Sequence, residues 1–182
     1  MRKIVAGLFI SLDGVTESPQ DWQMGLMDDE AGQDIGQALE ESDTILLGRR
    51  TFQEFEAFWP NQPQDDPFSA YINNTPKLVV SNTLTRSDWK NTSFIGGDVA
   101  GALRRLKAQP GKNLGITGSS TLVRSLLHDG VLDELRLQLY PVVVGKGRRL
   151  FEDGMDKLPL QLAKSQTTSR GIVILHYRVT AG

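Results

Sequence analysis

The chain has 182 residues, 39% of them hydrophobic and 23% charged, which suits one globular domain spanning 1–182 and excludes a disordered or membrane-embedded chain. Twenty Lys and Arg against 22 Asp and Glu leave a net charge of -2, so no broad electropositive field awaits a nucleic acid. With no cysteine, disulfides and thiolate chemistry are excluded, and His128 and His176 lie too far apart in sequence to suggest a metal site.

The run Lys3–Leu12 is nearly continuous in apolar residues, the pattern of a central strand covered on both faces. It is short, carries Gly7 and meets Asp13-Gly14 with no small-residue cleavage pattern. It therefore reads as a strand rather than an export signal or a membrane span, and the protein is expected in the cytoplasm. Residues 15 to 27, rich in Ser, Pro, Gln and Gly, read as a long loop of the kind that covers a site. Ala31, Ile35, Ala38 and Leu39 then place an apolar stripe on a helix over about 28 to 41. The strand Asp43–Gly48 follows, then a short helix from Arg50 to about Ala57 and a polar, Pro-rich loop from Trp59 to Pro76.

Lys77–Ser81 and Thr92–Ile95 are the next strands. Asp98 can cap a helix whose Val99, Ala102, Leu103 and Leu106 share one face. Leu114–Gly118 enters a helix with Leu122, Val123, Leu126 and Leu127 inside and Gly130 after its end. Four strand–helix steps in succession predict an α/β fold with a mostly parallel sheet and helices on both faces. In the last third, Leu135, Leu137 and Leu139 alternate with polar residues, as do Val173, Leu175, Tyr177 and Val179. Leu158, Leu160 and Leu162 hint at a further strand. These predict an antiparallel C-terminal edge.

In such a sheet, ligands bind beyond the carboxyl ends of the strands, at helix N-termini. Three ends attract notice. Gly118-Ser119-Ser120-Thr121 can admit phosphate oxygens to the backbone, or simply cap a helix. Gly96-Gly97-Asp98 resembles a phosphate loop, but the Asp98 carboxylate occupies the place of the anion. Gly48-Arg49-Arg50-Thr51 offers two guanidinium groups suited to a phosphate monoester, or two solvated arginines. The Gly-x-Gly-x-x-Gly fingerprint, a P-loop and Gly-x-Ser-x-Gly do not occur.

The ordered set Ser11-Leu12-Asp13-Gly14, Asp43–Phe52, Lys77–Ser81, Gly118–Leu122, Val131–Leu135 and Pro141–Gly147 resembles the dihydrofolate reductase superfamily. More narrowly, it resembles the reductase domain of the riboflavin biosynthesis deaminase/reductase, here as a stand-alone member. The resemblance runs from about residue 2 to 179 and implies a dihydrofolate-reductase-like fold, an NADPH-dependent reductase, a small-molecule substrate and a homodimer. Its alternative is a protein of the same fold that binds NADP or serves structurally without turnover.

The cofactor site the resemblance implies takes Gly48, Arg49, Arg50 and Thr51 to the 2′-phosphate and pyrophosphate, with Ser81 and Asn82 beside them. Thr117, Gly118, Ser119, Ser120, Thr121 and Leu122 form the pyrophosphate turn, and Val15 and Thr16 approach the nicotinamide ribose. Two departures set the chain apart. A gapless count puts Gly32, between Glu30 and Asp34, where dihydrofolate reductases carry a helix carboxylate, and Thr117 stands where riboflavin reductases carry an acid. The proton source is then expected to be Asp13, Asp34 or solvent, with Trp22, Phe52 and Trp59 walling a planar substrate.

Overall fold

The computed structural model describes residues 1–63 and 65–180. Eight strands form one sheet: β1 (Ile4–Ser11), β2 (Ser42–Gly48), β3 (Lys77–Val80), β4 (Thr92–Ile95), β5 (Asn113–Ile116), β6 (Glu134–Tyr140), β7 (Leu160–Thr167) and β8 (Val173–Val179). Their order is β4-β3-β2-β5-β1-β6-β8-β7. From β4 to β6 every pairing is parallel, while β6 with β8 and β8 with β7 are antiparallel. The helices are α1 (Asp29–Glu40), α2 (Arg49–Phe58), α3 (Pro67–Asn74), α4 (Val99–Lys107) and α5 (Ser120–His128).

Strand alternation sends the two faces of the sheet to different helices. Ile4, Ala6, Leu8 and Ile10 of β1 join Leu46, Leu114 and Ile116 in a core closed by Leu103 of α4 and Val123, Leu126 and Leu127 of α5. On the other face, Ile45, Leu47 and Val79 pack with Phe52 of α2, Ile72 of α3 and Trp89. A third, smaller cluster joins Ala31 of α1, Tyr140 and Ile172, with Phe9 and Trp22 against it. α1 thus covers β6 and β8, α2 and α3 cover β2 and β3, and β1 lies between these two groups.

One expectation is corrected. The segment from Trp59 to Pro76 is not all loop. Outside Gln64, which is not among the described residues, it holds a 3-10 turn at Trp59–Asn61 and α3. The Asp66 carboxylate caps α3 by accepting the N–H of Ser69 at 2.6 Å. Pro67 stands at the first helical position, where a proline starts a helix instead of breaking one. The antiparallel C-terminal edge is as expected: β6 pairs with β8 and β8 with β7, which is outermost. The ladder of β7 shifts register between Leu162 and Lys164.

Lys77 is the most buried charge in the molecule's core, at 1% exposure. Its ammonium donates to the carbonyls of Ile72, Asn73 and Thr75 at the end of α3 and sits 4.4 Å from the centre of the Trp89 ring. It satisfies carbonyls that the helix end leaves open. Among the described residues no helix is long and apolar enough to cross a membrane.

Candidate functional site

β2 and β5 are neighbours, so the turns that leave them meet side by side. The contact is close because of two glycines. A Cβ on Gly48 would stand 2.7 Å from the Ser119 hydroxyl oxygen, and one on Gly118 would stand 3.2 Å from Thr51. The peptide joining Gly118 to Ser119 is cis. β3 and β4 end in a similar embrace, where a Cβ on Gly96 would stand 2.7 Å from the Asn82 side-chain oxygen. That oxygen accepts the N–H of Gly97 at 2.9 Å. Gly48, Arg49, Arg50, Thr51, Ser81, Asn82 and the stretch Thr117–Leu122 are thereby gathered at one end of the sheet.

Their donor chemistry is that of an anion site. α2 begins at Gly48 with no side-chain cap, which leaves the N–H groups of its first turn unmet by side chains. α5 is capped by Ser119, whose hydroxyl accepts the N–H of Leu122 at 3.3 Å. Arg49 is exposed and donates to Gln53 alone, at 3.1 Å. It lines a groove of about 350 Å³ with Val80, Ser81, Asn82, Thr83 and Val99. The Ser81 hydroxyl accepts the N–H groups of Thr83 and Leu84, which holds the groove's floor in shape. The third strand end is closed to an anion, as its sequence suggests, because the Asp98 carboxylate caps α4 by accepting the N–H of Gly101.

Beyond β1, two loops are clasped together. Asp13 accepts from the Ser11 hydroxyl at 2.7 Å and from the N–H groups of Val144 and Gly145 at 3.1 and 2.8 Å. Those bonds, the Ser11 hydroxyl foremost, hold its carboxyl down at about 2. Glu17 accepts the N–H of Arg148 at 3.0 Å, Thr16 donates its N–H to the Arg148 carbonyl, and Val15 bridges to Arg149. Val15 is fully buried, and a Cβ on Gly147 would meet it at 2.9 Å. Asp13 stands ionised at the mouth of the site with no proton to give at neutral pH. Its role here is to position the loop that carries Val15 and Thr16.

Asp34 is turned away from this place. Its carboxylate lies 3.1 Å from the Lys164 ammonium and 3.0 Å from His176 Nε2, on the β7–β8 flank of α1. The His176 contact is off the axis of a hydrogen bond. Burial raises the Asp34 carboxyl, but these two partners outweigh it and bring it to about 2. Gly32, two residues earlier, points roughly 200° round the helix, into a groove lined by Met27, Asp28, Asp29 and Gln33.

One face of β1 is open at Gly7. Gly7 is exposed although its strand has a neighbour on each side, and a Cβ on it would meet nothing within 4 Å. Val5, lower on the same face, is closed over at 5% exposure. On α1, Cβ atoms added to Gly32 and Gly36 would likewise meet nothing. On α2, Thr51 stands against Gly118, while Phe55 and Phe58 lie against Trp59.

Of the three aromatics expected as walls, Phe52 is placed otherwise. Phe52 has no exposed surface and packs on Trp89 and Phe94. Trp59 lies among Phe55, Phe58 and Phe68. Trp22 meets Tyr140 edge-on and donates its indole N–H to the Glu17 carbonyl. Gly32 was singled out in the sequence; Gly36, whose signal is a second glycine one turn on in the same helix, was not.

A largely parallel sheet with an antiparallel edge, and a ligand-facing set of turns at its strand ends, define the dihydrofolate-reductase-like class of α/β proteins. The chain belongs to the RibD C-terminal domain family, whose model matches residues 2–174. It is 30% identical to the uncharacterized protein YyaP of Bacillus subtilis (strain 168), over 97% of this chain and 94% of that one. A structure of a protein assigned to riboflavin biosynthesis in Shewanella sp. PV-4 superposes with a TM-score of 0.80 at 20% identity, covering 98% of this chain and 99% of that one. Dihydrofolate reductase from Enterococcus faecalis, solved with NADP(H) and RAB-propyl, gives 0.66 at 14% identity, over 98% and 97% of the two chains. Family and fold point to a reductase of the RibD and dihydrofolate reductase kind.

Proposed function

We propose that the protein is an NADPH-dependent reductase of a small planar acceptor. The observation that carries this reading is the pairing of an uncapped α2 N-terminus with the Arg49 groove at the joined ends of β2, β3 and β5. The residues fit the cofactor. A guanidinium with spare donors, hydroxyls at Ser81 and Thr83 and two adjacent helix starts suit a chain of phosphates. Arg49 and Ser81 would hold the 2′-phosphate, and the turn Gly118–Thr121 the pyrophosphate. Val15 and Thr16, fixed by the Asp13 and Glu17 clasp, would border the ribose at the nicotinamide end. When bound, the cofactor supplies hydride. The protein's part is to hold donor and acceptor in register and to keep water from between them.

The proton that follows comes from solvent on this reading, since Asp13 is ionised and engaged and Asp34 faces the other flank of α1. The test is calorimetric titration with NADPH and NADH, followed by NADPH oxidation against a panel of planar acceptors. NADPH binding tighter than NADH, with turnover on at least one acceptor, is the expected result. Equal affinity for the two would remove the 2′-phosphate site. Binding with no turnover on any acceptor would favour a non-catalytic NADP-binding protein.

A further inference from the structure

Strands that lie under a helix ordinarily turn their apolar side chains toward it. The C-terminal strands do the reverse beneath α1. Arg136, His176 and Lys164 stand side by side across β6, β8 and β7. Glu41 takes Arg136 at 2.8 Å, and Asp34 lies beside the other two at 3.0 and 3.1 Å. The next row, Leu135, Tyr177 and Leu162, therefore points to the opposite face of the sheet, as do Leu137 and Leu175.

That opposite face is covered only toward β1. Leu135 and Leu137 of β6 are 0% and 8% exposed in the core shared with α5, whereas Leu175 and Tyr177, one strand out, are half-buried, and Leu162 on the outermost strand is 50% exposed. The segment from 151 to 159 then runs into β7 exposed throughout, and brings Phe151, Met155 and Leu158 with it. None of the side chains that β8 and β7 turn to this face is charged.

Charge, area and edge geometry choose the occupant. A face without charge has nothing to orient an ionic partner, but it matches a second copy of itself about a two-fold axis, where the same patch meets the same patch. Three strands of seven or eight residues present roughly 300 Å² in plan. Segment 151–159 adds a comparable surface, which brings the total toward the area of about 800 Å² that a stable dimer covers on each partner. Addition of a further strand at the edge is disfavoured, because the register shift in β7 between Leu162 and Lys164 spoils the ladder such a strand would need.

We propose that the protein is a two-fold homodimer in which the apolar face of β8 and β7, with segment 151–159, packs on the same elements of a second copy, sheet against sheet at about 10 Å. This goes beyond the reductase reading and does not depend on it. Sedimentation velocity of the full chain over about 1 to 100 μM tests it. Wild type sediments as a dimer. Leu162→Glu, which sets a carboxylate on the exposed part of the face, stays folded by circular dichroism and raises the dissociation constant at least about tenfold. Gln161→Glu adds the same charge one residue earlier, at an exposed position on the other face, and leaves the dimer intact. Should Leu162→Glu fail to fold, Leu158→Glu, outside any strand, carries the same expectation.

A monomeric wild type across that range, a folded Leu162→Glu or Leu158→Glu as dimeric as wild type, or a Gln161→Glu that disrupts as strongly would each overturn the proposal.

Discussion

The carboxylate of Asp13 accepts the backbone N–H of Gly145 at 2.8 Å, and so joins the loop after β1 to the segment after β6 across 132 positions of sequence. A second N–H, from Val144, shares the same carboxylate. An amide in its place presents N–H to N–H on one side. Asp13→Asn is expected to fold, yet to lower kcat/KM by about 10- to 100-fold, because the loop carrying Val15 and Thr16 loses its register. Since Asp13 titrates at about 2, the pH profile of the variant should keep the wild-type shape above pH 4. Loss of a limb from that profile would make Asp13 a proton carrier instead.

Arg49→Ala should weaken NADPH by about 1.5 to 3 kcal/mol, the worth of a hydrogen bond to a charged group, and leave NADH nearly unchanged. Calorimetric titration of both nucleotides reads this directly. An equal loss for the two would move the 2′-phosphate away from the Ser81 groove.

Asp34 ties α1 to β7 and β8, and its folded carboxyl, at about 2, lies below the ordinary 3.8. A depressed acid adds stability above its unfolded value and loses it as pH falls toward the folded one. The window is therefore pH 3.8 down to about 2. Asp34→Asn should cost at most about 2 kcal/mol at neutral pH, less where solvent screens the pair. It should also flatten the acid limb of urea-melt stability in that window. Turnover measured at saturating substrate should change little, because the side chain faces β7 and β8.

For Lys77 the slope has the same sign, in a higher window. Burial pushes its ammonium down to about 8 from 10.5, so the folded chain sheds this proton before the unfolded one does. Its contribution to stability rises with pH between those two values. Lys77→Met should remove that rise and strand three carbonyls at the end of α3, for a loss of about 1 to 3 kcal/mol by chemical denaturation. A neutral result would mean that water replaces the ammonium.

Much of this was legible in the chain. The unbroken apolar run of β1 and the alternation in β6 and β8 led to the fold, and the Arg49 and Gly118 turns to the anion site proposed above. Legibility failed where a side chain's direction mattered more than its type. Asp34 and Gly32 are two letters apart, and only the assembled sheet decides that the acid meets His176 and the glycine a groove beside Asp28 and Asp29. Phe52, Phe55 and Phe58 are three phenyl groups on one short helix. Only the packed helix shows that Phe52 is fully buried while Phe55 and Phe58 lie against Trp59. α3 was hidden by Pro67, read as a breaker when the Asp66 cap had made it a start.

Between Lys3 and Arg49 the chain has no Lys or Arg, which shapes how the molecule comes apart. A protease that cuts after Lys or Arg must release residues 4 to 49 as one piece, carrying β1, the clasped loop, α1 and β2 together. Such an enzyme is blind to every movement of the loop over the site. One that cuts after Glu is not, because Glu17 stands half exposed within the clasp itself. Its bond should open slowly while Arg148 is held and quickly once the two loops part, which makes that single cleavage a clock for the closing of the site.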